Sequence, residues 1–211
     1  MADRPADRPQ QHVEPLPLLV RAAGSGPIEV ASANLTPTLP GDLAGRLHAW
    51  SDARPPDGFP SRPALRKHVR QGLQITQALA KHLGPAWEVQ YWDERHASAK
   101  FVCWGCGKAC WTREAHGLPP HPLDIAVVGE YQAGPLRADG FGDFQPDDPV
   151  AGLDLPGDLV EGFRAWSADV DAHTEQHDEA WRRELDRRGE HLAHRLAAAA
   201  GPGRTVRYLG L

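Results

Sequence analysis

LPGDLAGRLHAWS, residues 39–51, returns as LPGDLVEGFRAWS, residues 155–167. Each copy opens with the same five residues, closes with Ala-Trp-Ser, and keeps apolar side chains at matching places between. Leu43, Leu47 and Trp50 fall at i, i+4 and i+7, as do Leu159, Phe163 and Trp166. That spacing lays one apolar stripe along a helix. Asp42 and Asp158 fall in the first turn, where a carboxylate meets unpaired N–H groups and the positive end of the helix dipole.

The echo extends outward. LGPAWEVQYW, beginning at Leu83, returns as AGPGRTVRYLG, beginning at Ala200. Between these anchors Gly72 matches Gly189, Ile75 matches Leu192 and Leu79 matches Leu196. Upstream, SGPIEV echoes AGPLRAD, each near an apolar run (LPLLVR; DIAVVGEY). Conserved order, spacing and residue type point to an internal duplication rather than to coincidence in an Ala/Arg/Gly-rich chain.

Each copy predicts the same elements. An apolar strand and a Gly-Pro turn lead to a second short strand, then to the LPGDL helix. A longer helix follows, over 62–83 and 178–200, stopped by Gly84-Pro85 and Gly201-Pro202. Glycine there supplies a left-handed cap and proline refuses further helix. WEVQYW and RTVRYLG close the units as strands, with Val and Tyr two apart on one face. The predicted fold class is α+β: two pseudo-symmetric ββααβ repeats with a small zinc-knuckle-like insert between them. The boundaries are a disordered tail over 1–14, repeat 1 over 15–92, a cysteine-bearing insert over 93–121 and repeat 2 over 122–211. One body is expected, because neither half alone carries a generous apolar core.

This layout resembles a group of small uncharacterised bacterial proteins, on the residues QPDDPVAGLDLPGDL and LGPAWEVQYW. The resemblance implies the fold and no activity. The first copy departs from the pattern, with ANLTPT in place of the acidic Asp-Pro segment.

All three cysteines lie in FVCWGCGKACW, residues 101–111. Cys103 and Cys106 have the C-x2-C spacing of a zinc knuckle, which lets two thiolates approach one tetrahedral ion, and Gly105 and Gly107 allow the tight turn. Cys110 and His116 complete a Cys3His set, with His121 and His96 as alternatives for the remaining position. The expected cofactor is Zn2+ in a structural role, since four protein ligands leave no place for water. Two other readings stand beside it: a buried cysteine cluster packed with Phe101, Trp104 and Trp111, and a redox pair, although CWGC does not open a helix as redox C-x-x-C motifs do.

Other motifs carry less. HTEQH, residues 173–177, lacks the glutamate directly after the first histidine that a zincin requires. His191 and His194 read as helix-flank residues. Asp139, Asp143, Asp147 and Asp148 do not have EF-hand spacing. Neither a phosphate loop nor a serine elbow is present. Trp50 and Trp166 read as core, whereas Trp87 or Trp92 could line a groove.

The 211 residues carry a net charge of −5, with 41% hydrophobic and 24% charged side chains. That is a globular composition without a basic surface for nucleic acid. No run is apolar enough for a membrane span, and the polar N-terminus is no secretory signal, so a cytoplasmic setting is expected. The expected function is a non-catalytic, zinc-binding interaction or regulatory protein whose groove holds a protein partner. Two alternatives remain. One is a metal- or thiol-dependent enzyme using the Cys/His insert, with Glu94 or Glu114 as its carboxylate. The other is a zinc-module nucleic-acid binder gathering Arg95, Lys100, Lys108 and Arg113 beside Trp104 and Trp111.

Overall fold

The computed structural model describes residues 14–23, 26–30, 36–117, 121–173 and 179–211. Nearly all of the expected N-terminal tail, part of ANLTPT and all but the first residue of HTEQH lie outside them. The chain is mixed α+β, with four helices and two mixed sheets among the described residues.

In the first half, β1 (Leu16–Val20) pairs antiparallel with β2 (Ile28–Val30) and parallel with β3 (Trp87–Asp93). Between β2 and β3 lie α1 (Gly41–Asp52) and α2 (Arg62–Leu83). Parallel pairing of β1 and β3 requires a crossover, and the two helices supply it. Ser61 caps α2, its hydroxyl accepting from Ala64 N at 3.3 Å, with Pro63 in the first turn.

The cysteine-bearing segment is not a free-standing insert. Its strands β4 (Ser98–Val102) and β5 (Ala109–Cys110) extend the first sheet beyond β3, giving the order β2-β1-β3-β4-β5. In the second half, β6 (Asp124–Val127) pairs antiparallel with β7 (Leu136–Ala138) and parallel with β9 (Thr205–Tyr208). Strand β8 (Gly142–Phe144) adds an edge beside β7, and α3 (Gly157–His173) and α4 (Glu179–Ala199) make the crossover.

Apolar burial falls into two clusters. Leu18, Leu47, Trp50, Leu79, Val89 and Tyr91 belong to one; Ile125, Leu136, Phe163, Trp166, Leu185 and Leu196 belong to the other. Each tryptophan of the predicted helical stripe is core, and its indole N–H finds a carbonyl in the longer helix. Trp50 Nε1 donates to His68 O at 3.0 Å, and Trp166 Nε1 to Leu185 O at 2.9 Å. A glycine lets each indole approach the longer helix. A Cβ on Gly72 would lie 2.4 Å from Trp50, and one on Gly189 2.7 Å from Trp166. The halves meet where the longer helices end: Gly84, at φ +68°, packs against Pro202, and Gly203 packs against Pro85.

His68 is a polar liability in the first core. His68 is buried, stacked on Trp50 at 5.0 Å and tilted against Phe59, and its Nε2 has no hydrogen-bond partner. Burial lowers its pKa, an effect that the opposing charge of Glu94 only partly offsets. The unfolded chain therefore takes up a proton near pH 6.5 that the folded chain refuses, and stability falls as pH drops below that value. In the second half the residue whose carbonyl accepts from the core indole is Leu185. His68→Leu is expected to stabilise the protein by about 1 kcal/mol at pH 7, by removing an unpaired buried polar atom. It should also flatten the acid limb of stability between about pH 6.5 and 5. Denaturant melts across that range check both; an unchanged pH slope contradicts the assignment.

Candidate metal centre

Strand β4 delivers Cys103 into a tight turn. Gly107 N donates to Cys103 O at 2.9 Å and Cys103 N to Lys108 O at 3.0 Å, with Gly107 at φ +70°. The turn places Cys106 on the same side as Cys103. Chain direction then reverses through β5 into a 3₁₀ turn, Glu114–His116, whose last residue is His116. Thr112 Oγ1 accepts from Ala115 N at 3.2 Å and opens that turn. His121 arrives from the segment that enters β6.

These elements converge. Cys103 Sγ lies 3.1 Å from His121 Nε2, and Cys106 Sγ lies 3.1 Å from His116 Nε2. The four ligand atoms all fall within 4.8 Å of one another, close enough to hold one metal ion. Tetrahedral coordination by two sulfurs and two imidazole nitrogens at ordinary bond lengths separates ligand atoms by about 3.3–3.8 Å, so the set needs only small adjustments. Cys103, His116 and His121 are buried, and Cys106 is partly exposed.

The protonation of the histidines suits ligation. His121 Nδ1 lies 2.7 Å from Val150 O. A carbonyl only accepts, so the neutral ring carries its proton on Nδ1 and turns the Nε2 lone pair toward Cys103. Burial lowers the His116 pKa, and the charge of Lys108, like that of a protonated His121, pushes the same way, favouring the neutral imidazole. Gly105 makes the site possible: a Cβ there would lie 2.2 Å from the His121 ring.

The structure thus brings together Cys103, Cys106, His116 and His121. It does not bring in Cys110, which is paired with Phe101 across the sheet in β5, nor His96, whose ring packs edge-on against Trp111 at 5.6 Å. The Cys3His set with Cys110 is replaced by Cys2His2. Cys110 stands in β5, which begins three residues after Cys106 and carries it along the edge of the sheet, outside the cluster. The carbonyl of Val150, which orients His121, carries no sequence signal, since any residue has one.

Other expected participants lie elsewhere. Glu94 pairs with Arg54 at 3.0 Å, and Glu114 is exposed. Asp143 pairs with Arg137 and Asp147 with Arg164, both at 2.5 Å. His191 and His194 are exposed on α4. The basic residues are mostly engaged: Arg95 and Lys100 both bond the buried Asp93 carboxylate, at 2.7 and 2.8 Å, and Lys108 Nζ reaches His116 O at 3.4 Å. Burial alone would raise the pKa of Asp93, but the bonds from Arg95 and Lys100 outweigh it and hold the carboxyl well below the usual range.

A groove of about 620 Å³ runs beside the centre, lined by Gln77, Lys81, Trp104, Cys106, Asp148 and Leu155 among others. Trp104 lines it; Trp87 packs on the first core, and Trp92 lies under Arg21 at 4.7 Å. Arg204 lies over the Trp104 ring at 4.8 Å, and burial pushes its pKa down to about 10.

Compared with protein families, curated proteins and solved structures, the chain matches none. Among the described residues, no helix is long and apolar enough to cross a membrane.

Proposed function

We propose that this protein is a non-catalytic interaction or regulatory protein, built by tandem duplication of a ββααβ unit and stapled by a structural zinc ion, with the groove beside the metal receiving a protein partner. The observation that carries the metal reading is the convergence of two thiols and two imidazoles within 4.8 Å, at a place shielded from solvent on three of its four ligands. Two sulfurs and two imidazoles suit zinc, and a four-ligand shell leaves no open position for an activated water. That supports a structural role over a hydrolytic one. Duplication is supported by the recurrence of the indole-to-carbonyl bond, the facing glycine and the strand pairing at corresponding positions in both halves.

Metal analysis tests the reading. The purified protein is expected to carry about one zinc per chain, and the cobalt-substituted form to show a thiolate-to-metal charge-transfer band. Both should vanish in the Cys103→Ser, Cys106→Ser double variant and persist in Cys110→Ser. A wild-type protein without zinc or the band would refute the assignment, and retention of the band in the double variant would refute the ligand set.

A further inference from the structure

We propose that Arg204 is the positioning residue of the metal centre, and that through it metal binding and closure of the groove are a single equilibrium. The inference rests on the reading of the four side chains as a metal site.

Arg204 stands just before β9, in the second half, and its guanidinium makes no ion pair with a carboxylate among the described residues. Its hydrogen bonds all go to backbone carbonyls: Nε to Pro122 O at 3.2 Å, Nη1 to Ala200 O at 2.7 Å, and Nη2 to both Ala151 O and Gly152 O at 3.1 Å. One face of the group lies on the Trp104 ring. The choice of partners is informative. Trp104 follows Cys103, Pro122 follows His121, and Ala151 follows Val150, whose carbonyl orients His121. A single planar fork thus grips the residue next to two ligands and the residue next to the group that orients one of them.

The same segment walls the groove. Residues 146–149 and 152–155 line it, and Gly152 is pressed against the cysteine turn. At φ +61°, Gly152 occupies a left-handed conformation, and a Cβ there would lie 3.0 Å from the Gly105 carbonyl carbon and 3.2 Å from His121 Nδ1. The knuckle, the His121 ring and the 150–152 backbone are therefore in direct contact, with Arg204 behind them. A metal that fixes Nε2 of His121 fixes the ring, hence the Nδ1 bond to Val150 and the groove wall. By linkage, whatever holds the wall closed strengthens metal binding equally. Lysine does not replace this group, because one ammonium cannot reach four carbonyls spread over three segments and stack on an indole at once.

Zinc affinity, measured by chelator competition, and amide hydrogen exchange over 146–155 with and without zinc test the coupling. In the wild-type protein, zinc should slow exchange of that segment at least about tenfold. Arg204→Met should weaken zinc binding by about 10–100-fold, the usual effect of removing a support behind a ligand, and abolish the zinc-dependent protection while one zinc still binds at saturation. Arg204→Lys should recover only part of either. Zinc binding by wild-type protein with unchanged exchange over 146–155 overturns the coupling while leaving the metal site intact, and that comparison stands even if the variants do not fold. Affinity of Arg204→Met within twofold of wild type overturns the positioning role. Failure of wild-type protein to bind zinc removes the metal reading, and this inference with it.

Discussion

The Cys103→Ser, Cys106→Ser double variant is expected to unfold about 8–16 °C below the zinc-loaded wild type, and a strong chelator added to the wild type should reproduce most of that loss. The size follows from linkage. Free zinc at a thousandfold excess over its dissociation constant stabilises the folded state by about 4 kcal/mol. For a chain of this length each kcal/mol moves the melting midpoint by about 2–4 °C. The ligands sit where the effect is felt: Cys103 follows β4 of the first sheet, and His121 both leads into β6 of the second and holds the Val150 carbonyl. Releasing the ion also leaves two buried imidazoles, His116 and His121, facing serine hydroxyls or nothing. Cys110→Ser should change the midpoint little, because Cys110 is partly exposed and outside the cluster. Calorimetry of the three proteins, with and without chelator, decides it. Equal melting of wild type and double variant in the presence of zinc would remove the staple from the account.

Trp166→Ala should cost about 3–5 kcal/mol, the largest effect expected of any single substitution in the second half. Its side chain is 0% exposed, lies between α3 and α4, and donates to Leu185 O, so the change opens a large cavity and removes a donor. Gly189→Ala attacks the same contact from the other side. Its new methyl would stand 2.7 Å from the indole and 2.6 Å from the Tyr208 ring, an overpacking worth about 1–3 kcal/mol. The two changes should be strongly non-additive, because the cavity left by the indole accepts the methyl. In urea titrations of both singles and the double, Gly189→Ala should cost at least about 1 kcal/mol less in the Trp166→Ala background. Additivity would mean that the Tyr208 ring or the helix backbone, and not the indole, sets the cost of the added methyl. The first half offers a parallel experiment at Trp50 and Gly72, where the gap is tighter, at 2.4 Å.

Much of the fold was legible because its signals are local. The i, i+4, i+7 stripe of Leu43, Leu47 and Trp50 became the buried face of α1. Gly84-Pro85 stopped α2 where expected. Long-range pairing was less legible. Nothing in SAKFV or AC announced that they would add to the first sheet, since strands this short reveal no partner in their own pattern. For the same reason the cysteine segment read as an insert, although its strands continue the sheet begun by β1.

The candidate metal site divides in the same way. Cys103 and Cys106 were readable because two intervening residues already bring their sulfurs to one side of a turn, and no other part of the chain has a say in it. His121 against Cys110 was not decidable from spacing. The first depends on a ring lying against Gly105 and bonded to Val150, 29 residues on, and the second was claimed by strand pairing with Phe101. Arg204 is farther still, and its partners are main-chain carbonyls that every residue possesses. Helix stripes, stops and the thiol pair came from the sequence by itself, because backbone geometry over a few residues dictates them. The fourth member of the Cys/His cluster, the groove and the Arg204 guanidinium came only from tertiary packing, because they depend on which distant surfaces lie within bonding distance once both cores have formed.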